Sequence, residues 1–396
     1  MGVFQKETKP ETEGLNTPQT QRDWYTGLRL PDVLALVPAL VAFGGQRLLA
    51  GYPSFTETWF SARLFRWIAD PIAWFSSMVP FSLTEFLVWS ALPLIIVLGS
   101  RVYRRAQVHG KPVWVRAGVH GVWIVSIAYL VFMLLFGFHY GRLPMAERYG
   151  LEVKERPVEE LAGMTLMLAK TASEFRRFVQ EDEEGVMVLR KGSTGALWSG
   201  YLGFQYASAA YPELKMPRRR AKSVLSSGLW SYTGISGMYF PFFVEANVNT
   251  DMPYSAIPST TLHELAHTLG FAREDEAEFI GFLAGIHHPD PDFKYSAKLN
   301  AFIHASNALY RADPDTWQET AAVLSEGVRR DINARRRYWQ EYQGPVERVS
   351  TRINDAYLKS NMQRDGVRSY GAVVDLLLAH YAADRLNTPS VLPDGR

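Results

Sequence analysis

Thr260-Thr261-Leu262-His263-Glu264-Leu265-Ala266-His267-Thr268-Leu269-Gly270 is the stretch on which the fold turns. Residues four apart on an α-helix share a face, so His263 and His267 can hold one metal ion from adjacent turns. Glu264, beside the first of them, is placed to take a proton from a metal-bound water. This is the pattern of zinc hydrolases. Ile257-Pro258-Ser259 supplies a helix start, with Ser259 or Thr260 able to cap, and Gly270 supplies a stop. The remaining positions, Leu262, Leu265, Ala266 and Leu269, are apolar. A helix buried this way with two inward imidazoles and no metal would bury polar nitrogens without obvious partners.

The five-residue pattern alone is a moderate signal, and the residues after it carry more weight. A zinc hydrolase needs a third protein ligand and an open position. Past Gly270 the chain reads Glu274-Asp275-Glu276-Ala277-Glu278-Phe279-Ile280-Gly281, a second helix with an acidic start. Acids at a helix start are ordinary on dipole grounds, so each alone reads as a solvated cap. Several carboxylates this close to two histidines point to the ligand set. Glu274 and Glu278 share a face while Glu276 points to the other side. Glu274 lies nearest the turn and is expected as the third ligand. Glu278 then orients a histidine from behind, and Glu276 is the alternative ligand.

The arrangement resembles the gluzincin metallopeptidases, in which a Glu on a later helix completes the zinc site. In several membrane members an acidic or amide residue follows that Glu four positions on, as Glu278 follows Glu274 here. The stretch from Gly237 to Ala284 resembles more closely an uncharacterised bacterial membrane family, a domain of unknown function with a zinc peptidase motif. The matching residues are Tyr239, Pro241-Phe242, Glu245-Ala246-Asn247-Val248-Asn249, the His263–His267 motif and Gly270-Phe271-Ala272-Arg273-Glu274-Asp275-Glu276-Ala277. The likeness extends to the membrane-spanning start and to Ser369-Tyr370-Gly371. It implies a fold and a zinc site, and no settled substrate.

Composition bounds the rest. The chain has 396 residues, enough for one sizeable domain plus membrane segments. Its 42 basic and 40 acidic residues leave a net charge of +2, which argues against a nucleic-acid partner. There is no cysteine, so any zinc must use His and carboxylate. Trp and Phe crowd the first third, as at membrane interfaces.

Residues 1–29 read as a disordered cytoplasmic tail without a signal peptide. Residues 30–140 read as a membrane region with about three transmembrane helices, at 30–50, 83–100 and 117–138. The first of these is interrupted by Pro38 and flanked by Asp32, Gln46 and Arg47, so a re-entrant or buried helix is the alternative. Residues 55–75 repeat Phe55, Trp59, Phe60, Leu64, Phe65, Trp67 and Ile68 near helical spacing. They read as an amphipathic helix lying in the interface or packed on the domain. Arg101, Arg104, Arg105, Lys111 and Arg116 fall in what reads as a short loop, which the positive-inside rule assigns to the cytoplasm. Residues 141–396 then form an extracytoplasmic domain of a bacterial cytoplasmic-membrane protein. The expected fold class is mainly α: transmembrane helices followed by an α-rich (α+β), zincin-like metallopeptidase domain with a small sheet.

Within that domain, Val158 to Gln180 reads as an amphipathic helix. Arg218-Arg219-Arg220 with Lys222 reads as a solvated loop, or as a contact for anionic lipid. Met238 to Asn249 carries the strand signal, with Pro241 confining that end to an edge. Phe242, Val244, Ala246 and Asn247 are expected to bind an extended substrate by strand addition, or else to form a packing hairpin. His287 and His288 sit in a loop, as oxyanion donors or, less readily, metal ligands. Ala297–Ala312 and Asp313–Arg337 read as two helices, His304 reads as structural, and Tyr370 is a weak candidate for transition-state stabilisation. The expected function is zinc-dependent hydrolysis of an envelope peptide or polypeptide. The alternatives are a non-catalytic zinc-bound sensor or scaffold, and a zinc amidase acting on peptidoglycan peptides. The lipid bilayer is the one partner the sequence names; no protein partner is legible.

Overall fold

The computed structural model describes residues 30–361, 363 and 371–387, and within them the chain is mainly helical. Ser369 and Tyr370 lie outside the described residues, as does the tail before residue 30.

Three helices are long and apolar enough to cross a membrane: Leu34–Gly51, Leu83–His109 and Lys111–Leu135. The loop expected at 101–116 is instead helix. The second and third helices run on until they meet at Gly110, whose φ of +77° only glycine adopts without strain. The basic residues between 101 and 116 therefore ring the tip of a helical hairpin. At 1.5 Å per residue the second helix is about 40 Å long, enough to cross the apolar layer and project beyond it. The third ends at Leu135, short of the expected 138, because Gly137–Gly141 tightens into a 3-10 turn.

Residues Pro53–Met78 form one unbroken helical run whose middle, Thr56–Phe65, is wound as a π-helix. It has two unlike faces. Phe60, Ser61, Phe65, Ala69, Ala73 and Ser76 are buried, while Trp59, Trp67, Trp74, Phe75 and Met78 are exposed. The buried face shares a core with Leu135, Phe136 and Tyr140 and with Tyr239, Val244 and Ala272 of the following domain. A boundary at 140/141 thus cuts through a packed core.

The domain's largest core gathers Val158–Arg176, Ile257–His267, Glu274–His287 and Pro291–Ala312. The second expected helix after residue 312 is two: Pro314–Ala322, capped by Asp313, and Glu326–Glu341, where the Ser325 hydroxyl accepts from Val328 N–H.

The three-stranded sheet has the order Lys222–Ser223, Glu245–Val248, Gly237–Phe240. Glu245–Val248 is its middle strand, parallel to one neighbour and antiparallel to the other. This overturns the edge placement of the 242–249 run. Pro241–Phe243 forms a 3-10 turn and Val244 takes a left-handed conformation at φ 47°, so the chain doubles back. The strand after the turn lies inside the sheet, and the free edge passes to Gly237–Phe240.

The basic run is likewise not a solvated loop. Arg219 and Lys222 point inward and are buried, whereas Arg220 lies over the face of Trp198 with its carbon 4.3 Å from the ring centroid.

Candidate metal centre

The ligand helix Ile257–His267 and the carboxylate helix Glu274–His287 pack side by side. Gly281 permits this: a Cβ there would stand 3.2 Å from the backbone nitrogen of His263. The close approach brings Glu274 and Glu278, one turn apart, against the two histidines.

Three ligand atoms converge. His267 Nε2 lies 3.1 Å from His263 Nε2, which lies 3.1 Å from Glu274 Oε2, and the third side, His267 Nε2 to Glu274 Oε2, measures 3.5 Å. Zinc–ligand bonds of 2.0–2.1 Å in a tetrahedron set ligand atoms about 3.3–3.4 Å apart. The triangle therefore has the size of one face of a zinc tetrahedron.

The remaining ring nitrogens set which atoms face inward. His263 Nδ1 lies 3.0 Å from Glu278 Oε2, and His267 Nδ1 lies 2.6 Å from the carbonyl oxygen of Phe271. Both partners are acceptors, so each Nδ1 carries a hydrogen and each neutral imidazole turns a lone pair inward at Nε2. Two lone pairs and a carboxylate oxygen then face one another in a buried space, a repulsive arrangement without a positive charge at its centre. Burial disfavours charge on His263, but the hydrogen bonds to Glu274 and Glu278 overcome it and raise its pKa well above the usual range. Burial likewise opposes the Glu274 carboxylate, and the two histidines outweigh it to hold its pKa well below normal.

Glu278 is itself held. Its other oxygen accepts from Asn300 Nδ2, and Asn300 Oδ1 accepts from Arg335 Nη1 at 3.2 Å. Arg335 is anchored by its Nε to Ser255 Oγ at 3.1 Å. His304 Nε2 stands 3.9 Å from Glu278, behind the centre rather than in it. Glu276 faces away and accepts from the backbone N–H of Met145 at 2.8 Å. Among the described residues the group that could hold a metal is His263, His267 and Glu274.

Glu264 is 5% exposed, and its Oε2 has no hydrogen-bond partner. Burial pushes its carboxyl up to about 7 against the pull of both histidines. Gly237 makes room for it: a Cβ there would meet Glu264 Oε1 at 2.4 Å. The edge strand thus lies against this carboxylate.

The rim of the centre comes from the membrane region. The rings of Phe136 and Tyr239 lie 5.6 and 6.1 Å from His267, and the Tyr239 hydroxyl donates to the carbonyl of Leu135 at 3.3 Å. Tyr357 packs on Phe132 at 6.4 Å. Its hydroxyl is raised by burial, and Glu274 adds to the rise against the hydrogen bond to Tyr140.

The last turn of the ligand helix is fixed by two buried arginines. Arg219 Nη1 donates to the carbonyl and hydroxyl of Thr268 at 2.6 and 2.8 Å, and its Nη2 pairs with Asp70. Arg142 Nη1 donates to the Gly270 carbonyl at 2.7 Å, while its Nε and Nη2 grip the Glu57 carboxylate at 2.8 Å each. Cations belong at a helix C-terminus. Both carboxylate partners come from the Pro53–Met78 run.

The expected ligands and base thus meet at one point. The expected substrate residues do not reach it as an edge. Val244 and Ala246 are buried in cores, and Phe242 lies in the turn. Asn247 Oδ1 accepts from Ser82 at 2.6 Å, tying the middle strand to the start of the second membrane helix. His288 is buried, stacks on Phe293 and contacts the Ser199 carbonyl, and His287 contacts the Leu283 carbonyl. Neither belongs to the centre. Asn300, Arg335, Arg142 and Arg219 carry no local motif, and nothing in the sequence near the histidines signals them.

Comparison with curated proteins and with solved structures finds no match. A family model described as "Protein of unknown function (DUF3810)" matches residues 60–378, more than half of the chain, so the chain belongs to that family.

Proposed function

We propose that this is a membrane-anchored zinc metallopeptidase that hydrolyses a peptide or polypeptide of the bacterial envelope. The observation that carries the reading is the pairing of a zinc-sized triangle of His263, His267 and Glu274 with an unpartnered buried carboxylate, Glu264. Two imidazoles and one carboxylate, with no cysteine in the chain, are the donor set of a hydrolytic rather than a structural zinc site. Bound there, Zn²⁺ would act as a Lewis acid and lower the pKa of a coordinated water to about 7. Glu264 would take a proton from the attacking water and return it to the departing amine. Glu278 keeps the His263 lone pair directed inward, and the Phe271 carbonyl does so for His267. A substrate chain adds to the free edge of Gly237–Phe240, which runs past Glu264. The basic ring around Gly110 favours a cytoplasmic hairpin tip, with the centre on the other side of the bilayer.

A zinc-bound sensor would need no desolvated carboxylate beside the ligands, so Glu264 favours turnover. The test uses the full chain in nanodiscs, a diverse peptide library and metal analysis. Zinc-loaded protein should cleave, and Glu264→Gln should keep its zinc and lose hydrolysis. Continued cleavage by pure Glu264→Gln protein removes Glu264 from the mechanism. Zinc-loaded wild type that cleaves nothing supports the sensor instead.

A further inference from the structure

The two long membrane helices turn at Gly110, so the start of one at Leu83 and the end of the other at Leu135 mark the same face of the bilayer. Two other short helices meet that face. Glu85, in the first turn of the helix that starts at Leu83, accepts from the backbone N–H groups of Leu225 and Ser226 at 2.7 Å each. This seats Ser227–Tyr232 beside one entry point. Phe132, in the last turn of the other, packs on Tyr357 of Pro345–Ser360. The segments that flank the two short helices touch: Tyr232 packs edge to face at 4.9 Å on Tyr342, three residues before Pro345, and Glu347 Cγ would stand 3.4 Å from a Cβ at Gly234, two residues after Tyr232.

Both present bare apolar side chains at this level. Leu225 is 94% exposed and Ile353 65%, and Leu229, Val346 and Val349 are also exposed. On the Pro345–Ser360 helix, Val346, Val349, Ile353 and Tyr357 fall on one side while Arg348, Arg352 and Lys359 fall on the other. That division is the pattern of a helix lying in a membrane surface. Tyr357 is the member of the stripe that turns inward, beside Glu274.

We propose that Leu225, Leu229, Val346, Val349 and Ile353 form a lipid-contacting strip. It beds the Pro345–Ser360 helix in the boundary between headgroups and acyl chains of the leaflet where the membrane helices emerge. The proposal rests on the membrane-anchored reading and goes beyond it in naming a second lipid contact. It also narrows the substrate class. The strip and the Leu135–Tyr239 contact together hold the metal centre at the bilayer surface, so the polypeptide it reaches is a segment kept close to lipid.

The natural absence of cysteine makes the test direct. Single substitutions Leu225→Cys, Val346→Cys, Val349→Cys and Ile353→Cys are labelled with a small fluorophore in the full chain. Arg348→Cys and Arg352→Cys report the opposite face, and Ile95→Cys reports a membrane helix. Each variant is matched to the parent by thermal melting and placed in phosphatidylethanolamine–phosphatidylglycerol nanodiscs carrying a lipid nitroxide at a shallow acyl position. Labels on the strip should be quenched several-fold more than those at 348 and 352. Equal quenching on both faces, with the label at 95 quenched, overturns the strip and leaves the membrane reading standing. Strip labels hidden from both lipid nitroxide and aqueous iodide would mean that protein, a second copy or a segment of this chain, covers the face, and would also overturn it. An unquenched label at 95 defeats both readings.

Discussion

Glu278→Ala is the substitution that most sharply separates a ligand from the group behind it. Glu278 Oε2 stands 3.0 Å from His263 Nδ1, on the side of the ring away from the metal position. Removing the carboxylate takes away the acceptor that keeps the hydrogen on Nδ1. The imidazole is then free to carry it on Nε2, where it blocks coordination. Loss of such a partner typically costs 10–100-fold in metal affinity, or about 1.4–2.7 kcal/mol. Glu278→Gln keeps an oxygen but not the charge, and should fall between the parent and the alanine variant. Glu274→Ala removes one of three ligands and should cost more than either. The assay is competition for zinc with a chromophoric chelator, read alongside the zinc content of the purified protein. An affinity of Glu278→Ala within twofold of the parent would refute the assigned role. A loss equal to that of Glu274→Ala would mean that Glu278 itself binds the metal.

Gly237→Ala should retain zinc yet lower hydrolysis by about a hundredfold, because the new Cβ would stand 2.4 Å from Glu264 Oε1 and displace the base; zinc content and turnover measured on one preparation check this, and full activity would refute it. Arg142→Met should cost about 1.5–3 kcal/mol, because it removes the donor to the Gly270 carbonyl and two of the three bonds to Glu57, which keeps Arg148 at 3.0 Å, and it is read as a lowered melting temperature. Glu57 also gives a pH dependence. Burial raises its pKa, but the hydrogen bonds and charge of Arg142, then Arg148, more than reverse this and leave it below the ordinary glutamate value of 4.5. The unfolded chain therefore binds the proton more readily, so the stability from Glu57 is full above about pH 4.5 and is lost as pH falls through the lower, folded-state value. Glu57→Gln should flatten that part of the melting-temperature profile, and an unchanged acid limb would count against the pair.

Legibility in the chain tracked the range of the interactions. The ligand helix was legible because its chemistry is local: His263, Glu264 and His267 fall within five residues, and helical spacing alone puts both imidazoles on one face. The choice of Glu274 over Glu276 came from the same period, and the structure turns Glu276 to Met145 as that period requires. The helices long and apolar enough to cross a membrane announced themselves by composition, although not their ends, since propensity does not reveal that Gly110 alone makes the turn. The edge strand was misplaced because strand signals do not encode order within a sheet. Glu245 and Asn247 fall in the run expected to bind substrate by strand addition, but both are buried and held by partners outside the strand. Glu245 pairs with Lys222 at 3.2 Å and Asn247 accepts from Ser82. The basic run misled for the same reason. Arg219 is buried because Asp70 and Thr268 meet it, 149 and 49 residues away in sequence.

Those long-range contacts bear on whether the membrane region is an anchor or part of the metal centre. A helix end exposes carbonyls without partners, and here they come directly after His267. Arg142 and Arg219 serve those carbonyls, and each is paired with Glu57 or Asp70. Phe136 and Tyr140 fill the space beneath Tyr239, and Ser61 Oγ lies 2.8 Å from the buried His139, which packs on Gly270. A chain cut to residues 141–396 keeps every ligand yet loses Glu57, Asp70, Phe136 and His139 together. Arg142 and Arg219 would then lose the carboxylates that hold them against those carbonyls, and the apolar side chains that cover Tyr239 would go with them. The shortened chain should therefore fail to bind zinc with the parent's affinity. The comparison with the full chain is made by chelator competition and thermal melting. A 141–396 fragment that melts cooperatively and holds zinc as tightly as the full chain would show that the Pro53–Met78 run is only a tether.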